Sequence, residues 1–159
     1  MITLGLDPGV TGAWAAIDRD GQPINIGDMP IMQDGRIKWT DGNELWAIIT
    51  ELKAIDKDIY AMTERITPLP QNGRLGAFSQ GCTLGSLLCG LQILGCRIEL
   101  IQPNEWKKHF NLSKDKTASV NKARLLYPTV EFKRAKDHGR AEALLIAHYA
   151  YETRRKPIS

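Results

Sequence analysis

Three acids in this chain stand where an acid is costly unless it is used. Asp7 closes the apolar run Ile2–Leu6 and is followed by Pro8-Gly9-Val10-Thr11-Gly12, a turn whose glycines let a backbone or a phosphate come close. Glu64 closes a second apolar run, Ile59–Thr63. Glu142 lies in Ala141-Glu142-Ala143-Leu144-Leu145, four residues after His138 and five after Asp137. Taken singly, each has an ordinary reading. Asp7 and Glu64 can be turn residues, Asp137 can be a helix N-cap, and Glu142 can pair with Arg140 or Arg65. Taken together, they are three or four carboxylate or imidazole groups able to converge. An oxygen-rich cluster of this kind selects Mg²⁺ or Mn²⁺ over zinc. The chemistry it serves is phosphodiester hydrolysis with two metal ions, one lowering the pKa of the attacking water and one stabilising the leaving 3′-oxygen.

The elements that must position these groups follow from periodicity and punctuation. Ile2–Leu6, Ala13–Ile17 and Pro23–Ile26 are short apolar runs separated by Gly9 and Gly12 and by Asp18-Arg19-Asp20-Gly21, which predicts an antiparallel meander. Thr40-Asp41 caps a helix that runs to about Ile55, with Leu45, Ile48, Ile49, Leu52 and Ile55 on one face. Ile59–Glu64 is a strand. A loop containing Pro68, Pro70, Asn72 and Gly73 leads into a long helix, about Leu75 to Leu94, which carries Gly81, Gly85 and Gly90. Such glycines suggest that another backbone packs close by. Arg97–Ile101 is a strand, Pro103 starts a helical turn through Trp106 and Phe110, and Thr117–Leu126 is helical. A final helix runs from near Asp137 to about Arg154 with Ala141, Leu144, Leu145 and Tyr149 buried. The order β-β-β-α-β-α-β-α-α predicts an α/β fold, a mixed five-stranded sheet flanked by helices, and resembles the RNase H-like layout. In that layout the first and fourth strands are neighbours, so Asp7 and Glu64 would meet.

Composition sets bounds. The chain has 159 residues, 43% hydrophobic and 25% charged, as expected for one globular domain over 1–159. No run approaches the ~18 apolar residues of a membrane span, and the N-terminus lacks the basic region of a secretory signal, so a cytoplasmic protein is expected. Cys82, Cys89 and Cys96 recur every seven residues, which on a helix places them on one face, too far apart for a disulfide or a shared metal; small buried side chains are the reading. No Ser-His-Asp nucleophile system, P-loop or Cys/His zinc site is present. Charge is uneven: residues 1–103 hold eight Lys and Arg against twelve Asp and Glu, whereas residues 104–140 hold ten against four. An acidic body with a basic segment suits a protein that gathers cations in one place and phosphates in another, though a solvated basic helix would look the same.

Five segments in order resemble the RuvC-type Holliday junction resolvases, phage-encoded relatives especially. They are Leu4-Gly5-Leu6-Asp7-Pro8-Gly9, the strand ending in Glu64, Gly76-Ala77-Phe78-Ser79-Gln80-Gly81 with its following helix, Pro103-Asn104-Glu105-Trp106-Lys107-Lys108, and Gly139 to Ala147. The resemblance implies a crossover junction endodeoxyribonuclease that cuts four-way DNA junctions with paired symmetric nicks, using two Mg²⁺ (or Mn²⁺) per site. It makes Asp7, Glu64 and Glu142 metal ligands. The fourth ligand, usually three residues before the last acid, falls on Gly139, so His138 or Asp137 must substitute, His138 being on the same helix face as Glu142. It gives the basic segment a task, with Lys107, Lys108, Lys114, Lys116, Lys122 and Arg124 on phosphates and Lys114 and Lys116 near the developing charge. Pro68, Leu69 and Pro70 become a wedge at the branch point, or a plain rigid connection. Trp106 and Phe110 are core residues. The resemblance also implies a homodimer, with the small-residue helix Leu75–Leu94 as its surface. The competing readings are an RNase H-like nuclease on hybrid or other branched substrates and a non-catalytic junction-binding protein. A sugar kinase, suggested by the turn after Asp7, needs two linked domains and more chain.

Overall fold

The structure, a computed structural model, describes residues 1–67, 73–113, 115–134 and 137–154. In chain order the elements are β1 (Ile2–Asp7), β2 (Ala13–Ile17), β3 (Pro23–Asp28), β4 (Ile31–Asp34), β5 (Ile37–Thr40), α1 (Gly42–Ile55), β6 (Ile59–Glu64), α2 (Gly73–Ile93), β7 (Arg97–Ile101), α3 (Pro103–His109), α4 (Lys116–Leu126) and α5 (His138–Arg154). The main sheet has the order β3-β2-β1-β6-β7. The meander β1-β2-β3 is antiparallel, and β6 and β7 join in parallel. The expected mixed five-stranded sheet is therefore present. Because Leu6 lies opposite Thr63, Asp7 and Glu64 leave neighbouring strands at the same edge.

Each face of the sheet carries its own core. On one face Leu4, Leu6, Leu45, Ile49, Leu87 and Leu91 close the space under α1 and α2. On the other, Met62, Ile101, Trp106, Ala123, Leu144 and Leu145 fill the space under α3, α4 and α5. The cap expected at the start of α1 is present, and α4 has one that the sequence did not single out. Asp41 accepts from the N–H groups of Asn43 and Glu44 at 2.9 and 3.3 Å, and Asp115 accepts from Thr117 at 2.9 Å. Of the stripe predicted on α1, Leu45, Ile49 and Leu52 are buried, while Ile55 at its end is exposed. The stripe on α5 is wider than predicted. Ala143, Ile146, Ala147 and Ala150 are buried beside Ala141, Leu144 and Leu145, and Tyr149 is only half-buried. The helix lies on the sheet and is also covered by α4, so most of its circumference is inside.

Two expectations change. The chain between β3 and α1 forms the β4–β5 hairpin, with Ile31 opposite Thr40 and Gly35 at φ 55° in the turn. Residues 32–36 are exposed and 37–39 half-buried, so the short apolar pattern of Ile31, Ile37 and Trp39 did not stand out as two strands. The cysteines do not share a helix face: α2 stops at Ile93, Gly95 turns the chain at φ 67°, and Cys96 is buried beyond it, while Cys89 is exposed. All three are free thiols. Gly90 has its close neighbour, since a Cβ there would stand 2.7 Å from Leu45 Cδ2, but Gly81 and Gly85 face open space. Among the described residues no helix is long and apolar enough to cross a membrane.

One contact sets the position of α5. A Cβ at Gly5 would lie 2.1 Å from the Ala143 carbonyl oxygen and 2.4 Å from the Ala147 nitrogen, so the α5 backbone rests directly on β1. Gly5→Val is expected to lower the urea midpoint by an amount worth about 3 kcal/mol or more. Gly42→Ala, where a Cβ meets nothing, should stay within about 0.5 kcal/mol of the parent. Equal midpoints for the two variants would contradict this packing.

Candidate active site

Alternation along β1 sends Leu4 and Leu6 to the α1–α2 face and Gly5 and Asp7 to the α5 face. Along β6, Ala61 goes to the first face and Met62 to the second, and Glu64 follows Met62. Glu142 is on the second turn of α5, the helix that Gly5 admits. At its start a Cβ on Gly139 would lie 3.2 Å from Asp7 Oδ2 and 3.1 Å from the Thr11 carbonyl. The position at which the resemblance places a fourth ligand has no side chain here, and the helix end sits closely against Asp7.

Each acid is held or influenced by named neighbours. The indole N–H of Trp106 donates to Glu64 Oε1 at 2.6 Å. Ser119 Oγ donates to Glu142 Oε1 at 3.1 Å, and Lys107 Nζ is 3.5 Å from the same oxygen. The ammonium of Lys107 also lies 5.0 Å from the centre of the Trp106 ring. Burial, with the negative charges of Glu142 and Glu64 behind it, pushes the Asp7 carboxyl well above the usual range, and Lys107 only partly offsets this. Burial also raises Glu64, against the opposing pull of the Trp106 hydrogen bond and Lys107. The three carboxylates therefore feel one another's charge in a partly dry place. Among the described residues no three His, Cys, Asp or Glu side chains are drawn tightly enough together to grip an ion as they stand. A hard divalent cation is the ligand an all-oxygen set of this kind suits.

Beside Glu142 a cleft of about 950 Å³ opens between α3, α4 and α5, with Lys107, Lys108, Ser119 and His138 in its walls. Lys107 and Lys108 are thus at the site. Lys122 does not line this cleft, and its Nζ is 5.8 Å from the Phe110 ring centre. Arg124 donates one hydrogen bond to the Phe132 carbonyl at 2.7 Å, which ties it to the loop before α5. Lys114, the side chain of Lys116, and Pro68, Leu69 and Pro70 lie outside the described residues.

His138 and Asp137 part company. His138 opens α5 and lines the cleft with Glu142. Asp137 is 3% exposed and spends both oxygens on Arg134, taking its backbone N–H and its Nε each at 2.7 Å. Arg134 and Arg140 in turn both grip Asp28 of β3. Burial alone would raise the Asp137 carboxyl, but the Arg134 backbone and guanidinium, helped by Arg140, hold it below the usual range. Asp137 is a clamp between α5 and β3 rather than a group turned to the Asp7 side. Trp106 was read as core, and it is fully buried, but its N–H also orients Glu64. A buried indole must find an acceptor, and that was the signal available in the sequence. Ser119 had no such signal.

The structure is similar to that of Thermus thermophilus RuvC. The match to RuvC in complex with a Holliday junction substrate has a TM-score of 0.66 at 16% identity and covers 98% of this chain and 96% of that one. A second Thermus thermophilus RuvC structure matches with a TM-score of 0.58 at 18% identity over the same shares. The chain has the RuvC fold. In sequence, 96 residues are 34% identical to the chloroplastic Holliday junction resolvase MOC1 of Chlamydomonas reinhardtii, a stretch that is 58% of this chain and 11% of that protein. No family model matches. On the RuvC fold the three acids come from β1, β6 and α5, which meet at one end of the sheet.

The two kinds of acid predict opposite responses, measured in EDTA. Asp137→Asn removes a charged clamp and should lose about 2 kcal/mol of stability. Asp7 titrates higher folded than unfolded, so its ionised form costs stability. That cost starts as pH rises past the unfolded pKa and is complete above the folded one. Asp7→Asn should therefore be more stable than the parent near neutral pH, with the gap narrowing as pH falls toward about 4. An Asp7→Asn protein less stable than the parent at neutral pH would contradict the assignment.

Proposed function

We propose that this chain is a metal-dependent endonuclease that resolves four-way DNA junctions by paired symmetric nicks. The observation that carries the reading is the convergence of Asp7, Glu64 and Glu142 beside a cleft bearing Lys107 and Lys108, on a fold whose Thermus thermophilus representative is described with a Holliday junction. Asp7, Glu64 and Glu142 would hold Mg²⁺ or Mn²⁺, two ions per site, with His138 as the fourth group. Asp137 is the weaker candidate because its oxygens are already committed. Metal bound there would activate the attacking water and stabilise the leaving 3′-oxygen.

The protein's own groups do the positioning. Trp106 fixes one Glu64 oxygen and leaves the other available. Ser119 fixes one Glu142 oxygen. Lys107, at 3.5 Å from Glu142, tempers the charge of the acids and is placed to take a phosphate oxygen. Lys108 lies farther along the cleft, on the path of the backbone. A two-fold symmetric substrate calls for a two-fold protein, and the open face of α2 around Gly81 and Gly85, with Phe78 and Ile93 exposed, is the proposed dimer surface. Gly139 in the fourth-ligand position favours one other reading, a junction-binding protein without catalysis.

A labelled four-way junction tests this. With Mg²⁺ or Mn²⁺ the parent should nick two opposed strands symmetrically, with two protomers per junction by sedimentation. EDTA should abolish cleavage, and so should Asp7→Asn. Trp106→Phe, which loses only the bond that orients Glu64, should cut about tenfold more slowly. Tight junction binding without any metal-dependent nicking would replace the nuclease reading with the binding protein.

A further inference from the structure

Two cations on the β4–β5 hairpin are not used by the site described above. Arg36 and Lys38 form no ion pair among the described residues. Other arginines are engaged: Arg97 with Asp58, Arg134 and Arg140 with Asp28, and Arg124 with the Phe132 carbonyl. Arg36 and Lys38 wall a cleft of about 470 Å³ whose opposite side is the Pro8–Thr11 turn and whose floor includes Leu75 and Ser79 of α2. That turn follows directly on Asp7, and Thr11 touches the start of α5. It therefore stands between this cleft and the one beside Glu142.

The hairpin is fixed at the residues that bear the cations. A series of hydroxyls on α2 takes up the free edge of β5. Ser79 Oγ accepts from the Lys38 N–H at 3.4 Å and lies 3.5 Å from the Arg36 carbonyl. Thr83 Oγ1 lies 3.4 Å from the Lys38 carbonyl, and Ser86 Oγ accepts from the Thr40 N–H at 3.0 Å. Thr40 Oγ1 in return donates to the Thr83 carbonyl at 3.0 Å. A short hairpin on its own is marginal in water; this one is tied to a 21-residue helix. The same helix brings its positive end to the cleft, with no acid in its first turn.

We infer that this hairpin cleft is a second phosphate track, which holds the DNA backbone on the side of Asp7 opposite Lys107 and Lys108. The inference rests on the nuclease reading above. Its ligand is the phosphodiester backbone, bound without regard to base sequence, because the cleft offers unpaired cations on a rigid support. The two tracks flank the acids, so a strand lying in both passes across Asp7.

The test is the salt dependence of junction binding, measured in an Asp7→Asn background so that no strand is cut. The Arg36→Gln/Lys38→Gln pair is compared with Arg19→Gln/Lys57→Gln, an equal charge change in the turns at the opposite ends of the strands. The hairpin pair should bind a four-way junction about tenfold more weakly and flatten the slope of log affinity against log salt by about 1.8, the equivalent of two phosphate contacts. The control pair should match the parent, and equal urea midpoints exclude a folding defect. If the parent binds with a steep slope and the hairpin pair matches the control, the second track is overturned and the nuclease reading stands. If the parent binds no junction at low salt, the nuclease reading falls and the inference with it.

Discussion

The fold depends on one close approach, that of helix α5 to the central strand β1. Gly5 lets the helix backbone touch the strand, and Gly139 lets the start of the helix meet the Asp7 carboxylate. With side chains at these two positions the helix would have to ride higher, and Glu142 would leave the edge at which Asp7 and Glu64 emerge. The core under α5 follows from the same contact. Ala143 and Ala147, small and fully buried, cover β1 where larger residues would not fit, while Leu144 and Leu145 reach the space shared with α3 and α4.

That approach creates an electrostatic contrast at the two margins of α5. On one margin Asp28 and Asp137 meet Arg134 and Arg140, so that charge is balanced, geometry is fixed, and the carboxyl of Asp137 is held acidic. On the other, Asp7, Glu64 and Glu142 share a partly dry space in which burial and like charge act together, and Lys107 is the cation that tempers them. A protein built only for stability would not keep the second arrangement, since an apolar residue at any of these positions would remove the repulsion. Unbalanced, buried charge of this kind is concentrated at functional sites, which is what the proposed function rests on. The same contrast separates the neighbours Asp137 and His138, one turned to the clamp and one to the cleft.

Much of this was legible in the sequence. Apolar runs ending in Asp7 and Glu64, with the β-before-α order, pointed to the mixed sheet, and the adjacency of β1 and β6 came from the RNase H-like layout that this order resembles. What was hidden depends on contacts between distant segments. The hairpin at Ile31–Thr40 is held at its edge by hydroxyls of α2 some forty residues on, which no local pattern could announce. The contacts of Arg124 with the Phe132 carbonyl and of Lys122 with the Phe110 ring could not be read from charge alone. The dual role of Trp106 and the help of Ser119 required knowing which helix lies over which strand. The cysteine spacing misled because Gly95 ends α2 before Cys96 is reached.

On the proposed function, repulsion among Asp7, Glu64 and Glu142 is held in the fold and relieved by a divalent cation. The most direct measurement of this is thermal unfolding of the parent and of an Asp7→Asn/Glu64→Gln/Glu142→Gln variant, each in EDTA and in Mn²⁺. The account predicts that the variant melts higher than the parent in EDTA and gains nothing from Mn²⁺, whereas the parent gains stability as Mn²⁺ binds the native state. A variant that melts no higher than the parent in EDTA, or that gains as much from Mn²⁺ as the parent does, would contradict it.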